Sequence, residues 1–393
     1  MYDILLRDGE IIDPSQGLHA LGSVGIREGK IAAAGPGISD PGAKAVFDLG
    51  GKIIAPGLID LHCHPAHGFA ALGVPVDEAG IHAGVTLVGD GGSAGAANFN
   101  AFRRLVVQPA QTEVVCFLNL ATAGLIAMPE IHTLHDIDPG LSRRTVEANR
   151  DLIRGIKVRA IQPLAEGLGV KGTEAAKKLA VDLGLPLMMH IGETRERMEK
   201  DSMDDFSRSA VSLLDRGDIL SHFLTWEPGG MILEDGTVYP ELDAARKRGV
   251  YLDSSHGMNH FSFAVARHAL ARGILPSIIS TDLSANNSSV TQSLPVIMSK
   301  FLNLGLTLDQ IIEMTTLNPA RAIGEEGRRG TLKVGAPADI TVMELVKGDY
   351  LFSDGKGRGS LRGTLMLEPR MVFKKGEMRP AYSRYQVPPL FTA

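Results

Sequence analysis

Through the middle of the chain, apolar runs of strand length alternate with amphipathic stretches of helical period, and shorter, turn-broken strands frame this rhythm at both ends. Residues 2–6, 10–12, 22–26, 30–34 and 45–49 read as strands punctuated by Asp8-Gly9, Asp13-Pro14 and Gly35-Pro36, and no helix fits among them. Strand-like text returns at 338–343 and 371–373. Between these ends, 174–183, 241–248 and 308–316 carry helical spacing, and eight apolar runs read as strands: 57–64, 84–90, 114–120, 155–160, 185–190, 219–222, 249–253 and 277–282. Strands alternating with helices imply a parallel α/β fold, and eight of them favour a closed (β/α)8 TIM-like barrel over an open doubly wound sheet. The expected layout is a barrel over 53–330 and a small β-sandwich domain built from 1–52 and 331–393. No fixed-period repeat suggests a solenoid or propeller.

Composition narrows the partners. At 393 residues with 44% hydrophobic and 22% charged positions, the chain can bury a large core. A formal net charge of -5 with no run of Lys or Arg offers no field for nucleic acid or an anionic membrane. No window approaches the roughly 18 apolar residues of a membrane span. Asp3, Arg7, Asp8 and Glu10 interrupt the first apolar stretch, unlike a secretory signal. Two cysteines, Cys63 and Cys116, cannot build a disulfide framework, so a reducing, cytoplasmic setting and a small-molecule substrate are expected. Homo-oligomerisation is compatible with all of this.

The chemistry concentrates where the apolar runs end. In Asp60-Leu61-His62-Cys63-His64 the alternation of a strand turns His62 and His64 the same way, with Asp60 deeper on that face and Cys63 turned away into packing. Two such imidazoles can share a metal ion, although a structural histidine pair explains this motif alone equally well. His190, His222 and Asp282 then close three further runs, each at the C-terminal end of an expected strand, where barrel enzymes place their active sites. Lys157 lies inside the strand Gly155-Ile156-Lys157-Val158-Arg159-Ala160. An ammonium there must snorkel, find a partner or lose its charge. Reaction of the neutral amine with carbon dioxide would give a carbamate whose two oxygens can bridge two cations.

The ordered set His62-x-His64, Lys157, His190, His222, Asp282 resembles the binuclear, carboxylated-lysine branch of the amidohydrolase superfamily, which includes dihydroorotases, hydantoinases and N-acyl amino acid deacetylases. The phrases Gly155-Ile156-Lys157-Val158-Arg159, His190-Ile191-Gly192-Glu193, Leu252-Asp253-Ser254-Ser255-His256-Gly257 and Ile279-Ser280-Thr281-Asp282-Leu283 resemble its deacetylase and dihydroorotase-like members, and the match runs from Ile4 to Asp339. The resemblance implies His62, His64 and Asp282 on one divalent ion, His190 and His222 on a second, and carboxylated Lys157 together with a hydroxide bridging them. Asp282 would be the proton carrier. Zinc is the expected metal because imidazole suits it, with Mn²⁺, Fe²⁺ or Co²⁺ as alternatives.

Arg159, on the strand face of Lys157, is expected to receive a substrate carboxylate, with a structural ion pair as its other reading. His256, in the loop after the seventh expected strand, is expected to contact substrate. His67, Glu193, His260 and Asn286 occupy comparable loops, where surface polarity is the default. The expected activity is hydrolysis of an amide or ester bond in a small N-acyl or O-acyl carboxylic acid. A cyclic amidohydrolase acting on dihydroorotate-like or hydantoin-like rings would use the same cage, and an inactive scaffold relative would have lost ligands that this chain keeps. A mononuclear deaminase would leave Lys157 without a task.

Overall fold

In a computed structural model of the chain, residues 1–38, 42–193, 199–355 and 359–386 are described, and they form a mixed α/β fold around two sheets. The first sheet gathers both ends of the chain. Strands β1 (Ile4–Asp13), β2 (Leu18–Arg27), β3 (Lys30–Gly35), β4 (Ala45–Asp48) and β5 (Ile53–Pro56) come from the start. The second sheet takes β6 (Leu58–Cys63), β7 (Val85–Asp90), β8 (Glu113–Asn119), β9 (Ile153–Arg159), β10 (Leu187–His190), β11 (Ile219–Ser221) and β12 (Tyr251–Asp253). The chain then returns to the first sheet with β13 (Ile340–Ser353), β14 (Ser360–Lys374) and β15 (Glu377–Pro380).

The terminal sheet runs β15-β14-β13-β5-β1-β2-β3, with β4 beside β1, and is held by a core that includes Leu6, Ile11, Val24, Ile54, Ile340 and Phe373. Its strand β5 is the first part of the apolar text that continues into β6. Gly57 lies between the two, where a Cβ would be 2.2 Å from Thr86 Oγ1. The hairpin β13–β14 is far longer than its two expected pieces. Its ladder takes in Lys347-Gly348-Asp349 as an irregularity between Lys347 and Tyr350. The extended arm docks on the helix Leu294–Asn303, where Asn303 donates to Leu365 O and accepts from Thr364 N.

The second sheet is parallel and curled, ordered β12-β11-β10-β9-β8-β7-β6. Each of its strands falls within two residues of an expected run because both faces are buried and the text is continuously apolar. The helices follow suit. Leu308–Thr315 starts at a capping box of Thr307 and Gln310, and Pro240–Arg248 starts at Pro240 and stops at Gly249, whose φ of 91° suits glycine.

The eighth expected strand, 277–282, differs. It forms single bridges, Asp253 with Ile278 and Cys63 with Leu283, rather than a ladder. Main-chain bonds still tie this segment to both edges of the sheet: His256 N donates to Ser280 O (3.2 Å) and Gly257 N to Thr281 O (2.9 Å), while Asp282 N donates to His62 O (2.6 Å) and His64 N to Leu283 O (2.9 Å). The ladder fails because side chains take the donors: Ser280 N goes to Ser254 Oγ and Thr281 N to Asp60 Oδ1.

Candidate metal centre

Because the strands of the curled sheet are parallel, their C-terminal ends share one rim, and the expected ligands meet there. His62 and His64 end β6, Lys157 lies near the end of β9, His190 ends β10, His222 follows β11, and Asp282 lies on the bridging segment. His64 Nε2 is 3.2 Å and His62 Nε2 3.6 Å from Asp282 Oδ1, making a first triplet of ligand atoms. Lys157 Nζ donates to His62 Nε2 at 3.0 Å. His190 and His222 pack edge to face with ring centroids 4.1 Å apart. All six are therefore brought together. Glycines make the room: a Cβ on Gly91 would lie 2.3 Å from His62 Cδ2, and one on Gly92 2.6 Å from Lys157 Cγ.

Hydrogen bonds fix which nitrogen each imidazole offers. His222 Nδ1 donates to Ser255 O at 2.7 Å, leaving the Nε2 lone pair free. Ser255 Oγ donates to Asp253, so it accepts from His62 Nδ1 at 2.8 Å, and His62 likewise presents Nε2 as a lone pair. His64 Nδ1 meets Ser93 Oγ at 3.0 Å. Such outer partners orient metal-binding imidazoles and set their tautomer. Burial holds His62, His190 and His222 well below the ordinary imidazole pKa, so they are neutral at pH 7, the form that ligates. Burial also pushes the Lys157 amine down to about 7. For Asp282 burial acts upward, but the His64 hydrogen bond and the neighbouring His62 and His260 outweigh it and keep the carboxylate below its usual range.

The donor set fits divalent ions on structural grounds. His190 Nε2 and His222 Nε2 are buried with no hydrogen-bond partner among the described residues, an arrangement that costs about 1–3 kcal/mol per group unless something is bound there. Backbone strain is concentrated at the same place: His222 (φ 65°), Asp282 (φ 52°) and Ser255 (φ 36°) are left-handed non-glycine residues.

The two expected substrate contacts lie differently. Arg159 is 19% exposed at its side chain and faces the buried Glu130, with Nη1 3.1 Å from Oε1. His256 does not join the rim cluster. It is fully buried against Phe261, with Nδ1 donating to Gly257 O at 2.8 Å and Nε2 accepting from Lys300 Nζ at 2.9 Å, so neither nitrogen is left for a substrate. This departs from the expectation because Lys300, invisible as a neighbour in the sequence, reaches it from the helix Leu294–Asn303. Of the loop residues, His67 and Asn286 are exposed, and Glu193 accepts from Gln162 N at the start of the helix Gln162–Gly167. His260 is the residue that sequence reasoning passed over: it lies against His190 and His222, with centroids 4.7 and 4.2 Å away. Its only signal was its position seven residues beyond Asp253, the end of the expected strand 249–253, in the loop that follows. Cys63 and Cys116 are buried free thiols. A separate cavity of about 620 Å³, lined in part by Tyr251, Ser277 and Asn318, opens at the opposite end of the strands and contains none of the ligand residues.

A rim of neutral imidazoles, a carboxylate and a buried lysine at the strand ends of a curled parallel sheet is the arrangement of a metal-dependent hydrolytic enzyme. The amidohydrolase family model matches residues 53–379, and the chain belongs to that family. It is 35% identical to a deacetylase of Agrobacterium fabrum over 91% of this chain and 86% of that one. A deacetylase of Brucella anthropi is 34% identical over 91% and 87%. Among solved structures, one described as a dihydroorotase superposes with a TM-score of 0.85 at 33% identity, covering 98% of this chain and 99% of that chain. Another described as an adenine deaminase gives 0.86 at 28% identity, covering 97% and 100%.

Proposed function

We propose that this chain hydrolyses an amide or ester bond in a small N-acyl or O-acyl carboxylic acid, in the manner of a deacetylase, at a binuclear site of the carboxylated-lysine kind. The observation that carries the proposal is the convergence of His62, His64 and Asp282 on one side and His190 and His222 on the other, with buried Lys157 Nζ against His62. In this reading the curled sheet and the segment 277–283 act as a (β/α)8 barrel that runs from β6 to residue 330, and the terminal sheet, which adds β5 to the expected 1–52 and 331–393, is a β-sandwich domain. His62, His64 and Asp282 would hold one divalent ion, His190 and His222 the other, and the Lys157 carbamate both, with zinc as the resident metal. The ions supply a more acidic water and a polarised scissile carbonyl. Asp282, anionic and beside both His62 and His64, would accept a proton from the attacking water and return it to the leaving amine or alkoxide. Arg159 stands at the mouth with Glu130 balancing its charge, and a substrate carboxylate would share or displace that pairing. His256 is reassigned from substrate contact to positioning. The identity to two deacetylases supports acyl hydrolysis, and two buried free cysteines support a reducing, cytoplasmic setting.

A cyclic amidohydrolase is the second reading, favoured by the likeness to the dihydroorotase structure. The test is a panel of N-acetyl and O-acetyl acids of both chiralities beside dihydroorotate and hydantoins, run on protein of measured metal content. Turnover confined to acyl acids at about two ions per chain supports the proposal, whereas turnover confined to rings replaces it with the second reading. A folded, metal-free protein inert on every compound would make the chain a scaffold.

A further inference from the structure

His260 stands in a loop, yet it is 6% exposed and completes a nest of three imidazoles with His190 and His222. One nitrogen from each of the three lies within 4.8 Å of the other two. Three 2.1 Å bonds to one ion hold their donor atoms roughly 3.4–3.6 Å apart, so a closure of up to roughly 1.4 Å would place all three on a single ion. The backbone is arranged to admit this ring. Gly192, at φ 96°, would carry a Cβ 3.1 Å from His260 Nδ1, and Gly257, at φ 56°, one 3.5 Å from its Cδ2. A side chain at Gly192 would press on His260, and one at Gly257 would meet Asp282 Oδ2 at 2.6 Å while just touching the His260 ring. The orphaned Nε2 atoms of His190 and His222 belong to the same nest.

We propose that His260 is a third imidazole ligand of the second metal, which is then bound by three histidines as well as the bridging group. This rests on the binuclear reading above and extends its ligand set by one residue. The two sites would then differ in kind. The first, with Asp282 in its set, accepts harder ions, whereas a three-imidazole site favours Zn²⁺ or Co²⁺ over Mn²⁺. The left-handed bend at Gly257 acquires a purpose, since it turns the loop after β12 back over the rim.

The test uses the full chain labelled with ¹⁵N-histidine and loaded with ¹¹³Cd²⁺. Five imidazoles coupled to cadmium are expected, and four would overturn the assignment. His260→Gln and His260→Ala, with the exposed His67→Ala as control, are compared in chelator competition with Co²⁺. The His260 variants should keep one ion at wild-type affinity and bind the other at least tenfold more weakly, with an altered cobalt absorption band. Wild-type affinity for both ions in His260→Gln overturns the proposal while leaving the binuclear reading intact. Failure of the wild type to bind two ions removes the binuclear reading and the assignment with it. The cadmium experiment needs no substitution, so it decides even if both variants fold poorly.

Discussion

Lys300 offers a measurement that joins the fold to the site. Its Nζ is buried on the helix Leu294–Asn303 and donates to His256 Nε2 (2.9 Å), Ser353 O (2.8 Å) and Val290 O (3.3 Å). Burial pushes its pKa from 10.5 to about 7, with Asp354 opposing through space. Between those two values the folded chain binds fewer protons than the unfolded chain, so stability rises with pH across that window, and below about pH 7 the cost is fully present. At about 1.4 kcal/mol per pH unit, the whole cost is on the order of 5 kcal/mol. Lys300→Met removes the charge and also leaves three buried acceptors unpartnered, at about 1–3 kcal/mol each. At pH 7 the two effects largely offset. By pH 9 the ionic cost has fallen by about 3 kcal/mol, so the wild type should gain that much over the variant. Melting temperatures of both proteins at pH 7, 8 and 9, with metal at a fixed saturating concentration, read this as a gap widening by several degrees. A gap that stays constant would show that Lys300 keeps an ordinary pKa and would refute the reasoning.

Three further outcomes follow from the rim. Lys157→Ala removes the group against His62 and should lower metal content and abolish turnover, with short carboxylic acids restoring part of it; metal analysis beside a rate assay checks both. Asp282→Asn should keep the fold and much of the metal while kcat falls on the order of a hundredfold or more, since an amide can ligate but cannot carry the proton. Arg159→Met leaves Glu130 buried without its partner, so the melting temperature should fall. If the guanidinium also holds a substrate carboxylate, KM should rise with kcat little changed, and esters lacking that carboxylate should be spared. Equal loss on charged and neutral substrates would make the arginine structural.

The parts of this molecule that were legible in the sequence share one property: local pattern and tertiary role coincide. A strand such as Leu187–His190 is apolar because it is buried on both faces, and it ends in a candidate ligand because the rim is where the apolar surroundings stop. Where the two diverge, the text misleads. The barrel was expected to begin at residue 53, but Ile53–Pro56 pairs with β1 and β13 in the terminal sheet, and the strand expected at 57–64 begins at Leu58. The two pieces expected at 338–343 and 371–373 cover only the base of the β13–β14 hairpin, whose ladder continues past an irregularity between Lys347 and Tyr350 to Ser353 and Ser360. In the site, the candidate ligands were picked out by their places at strand ends and by the family resemblance, whereas the places of His260 and Lys300 and the true surroundings of His256 depend on how a loop folds back and what a distant helix presents.

The segment carrying Asp282 shows why its strand could be read and yet does not behave as one. Asp60, deep on β6, accepts from Thr281 N at 3.0 Å and from Thr281 Oγ1 at 2.6 Å. From the other edge, Asp253 at the end of β12 accepts from Ser280 Oγ at 2.6 Å and also from Ser255 Oγ, which in turn receives His62 Nδ1. Two buried carboxylates thus grip consecutive residues just before Asp282, and burial pushes the Asp60 carboxyl up to about 7 and that of Asp253 upward as well. A plain ladder would have supplied those main-chain bonds without burying two acids. It would also have held Asp282 in an extended conformation, whereas the observed φ of 52° turns its carboxylate toward His62 and His64. Left-handed residues of this kind cost about 1–3 kcal/mol each and persist only where their surroundings over-determine them. Asp60 and Asp253 provide that constraint, and through Ser255 the same network sets the tautomer of His62, so the positions of Asp282, the proposed proton carrier, and of the His62 ring are fixed by one set of hydrogen bonds.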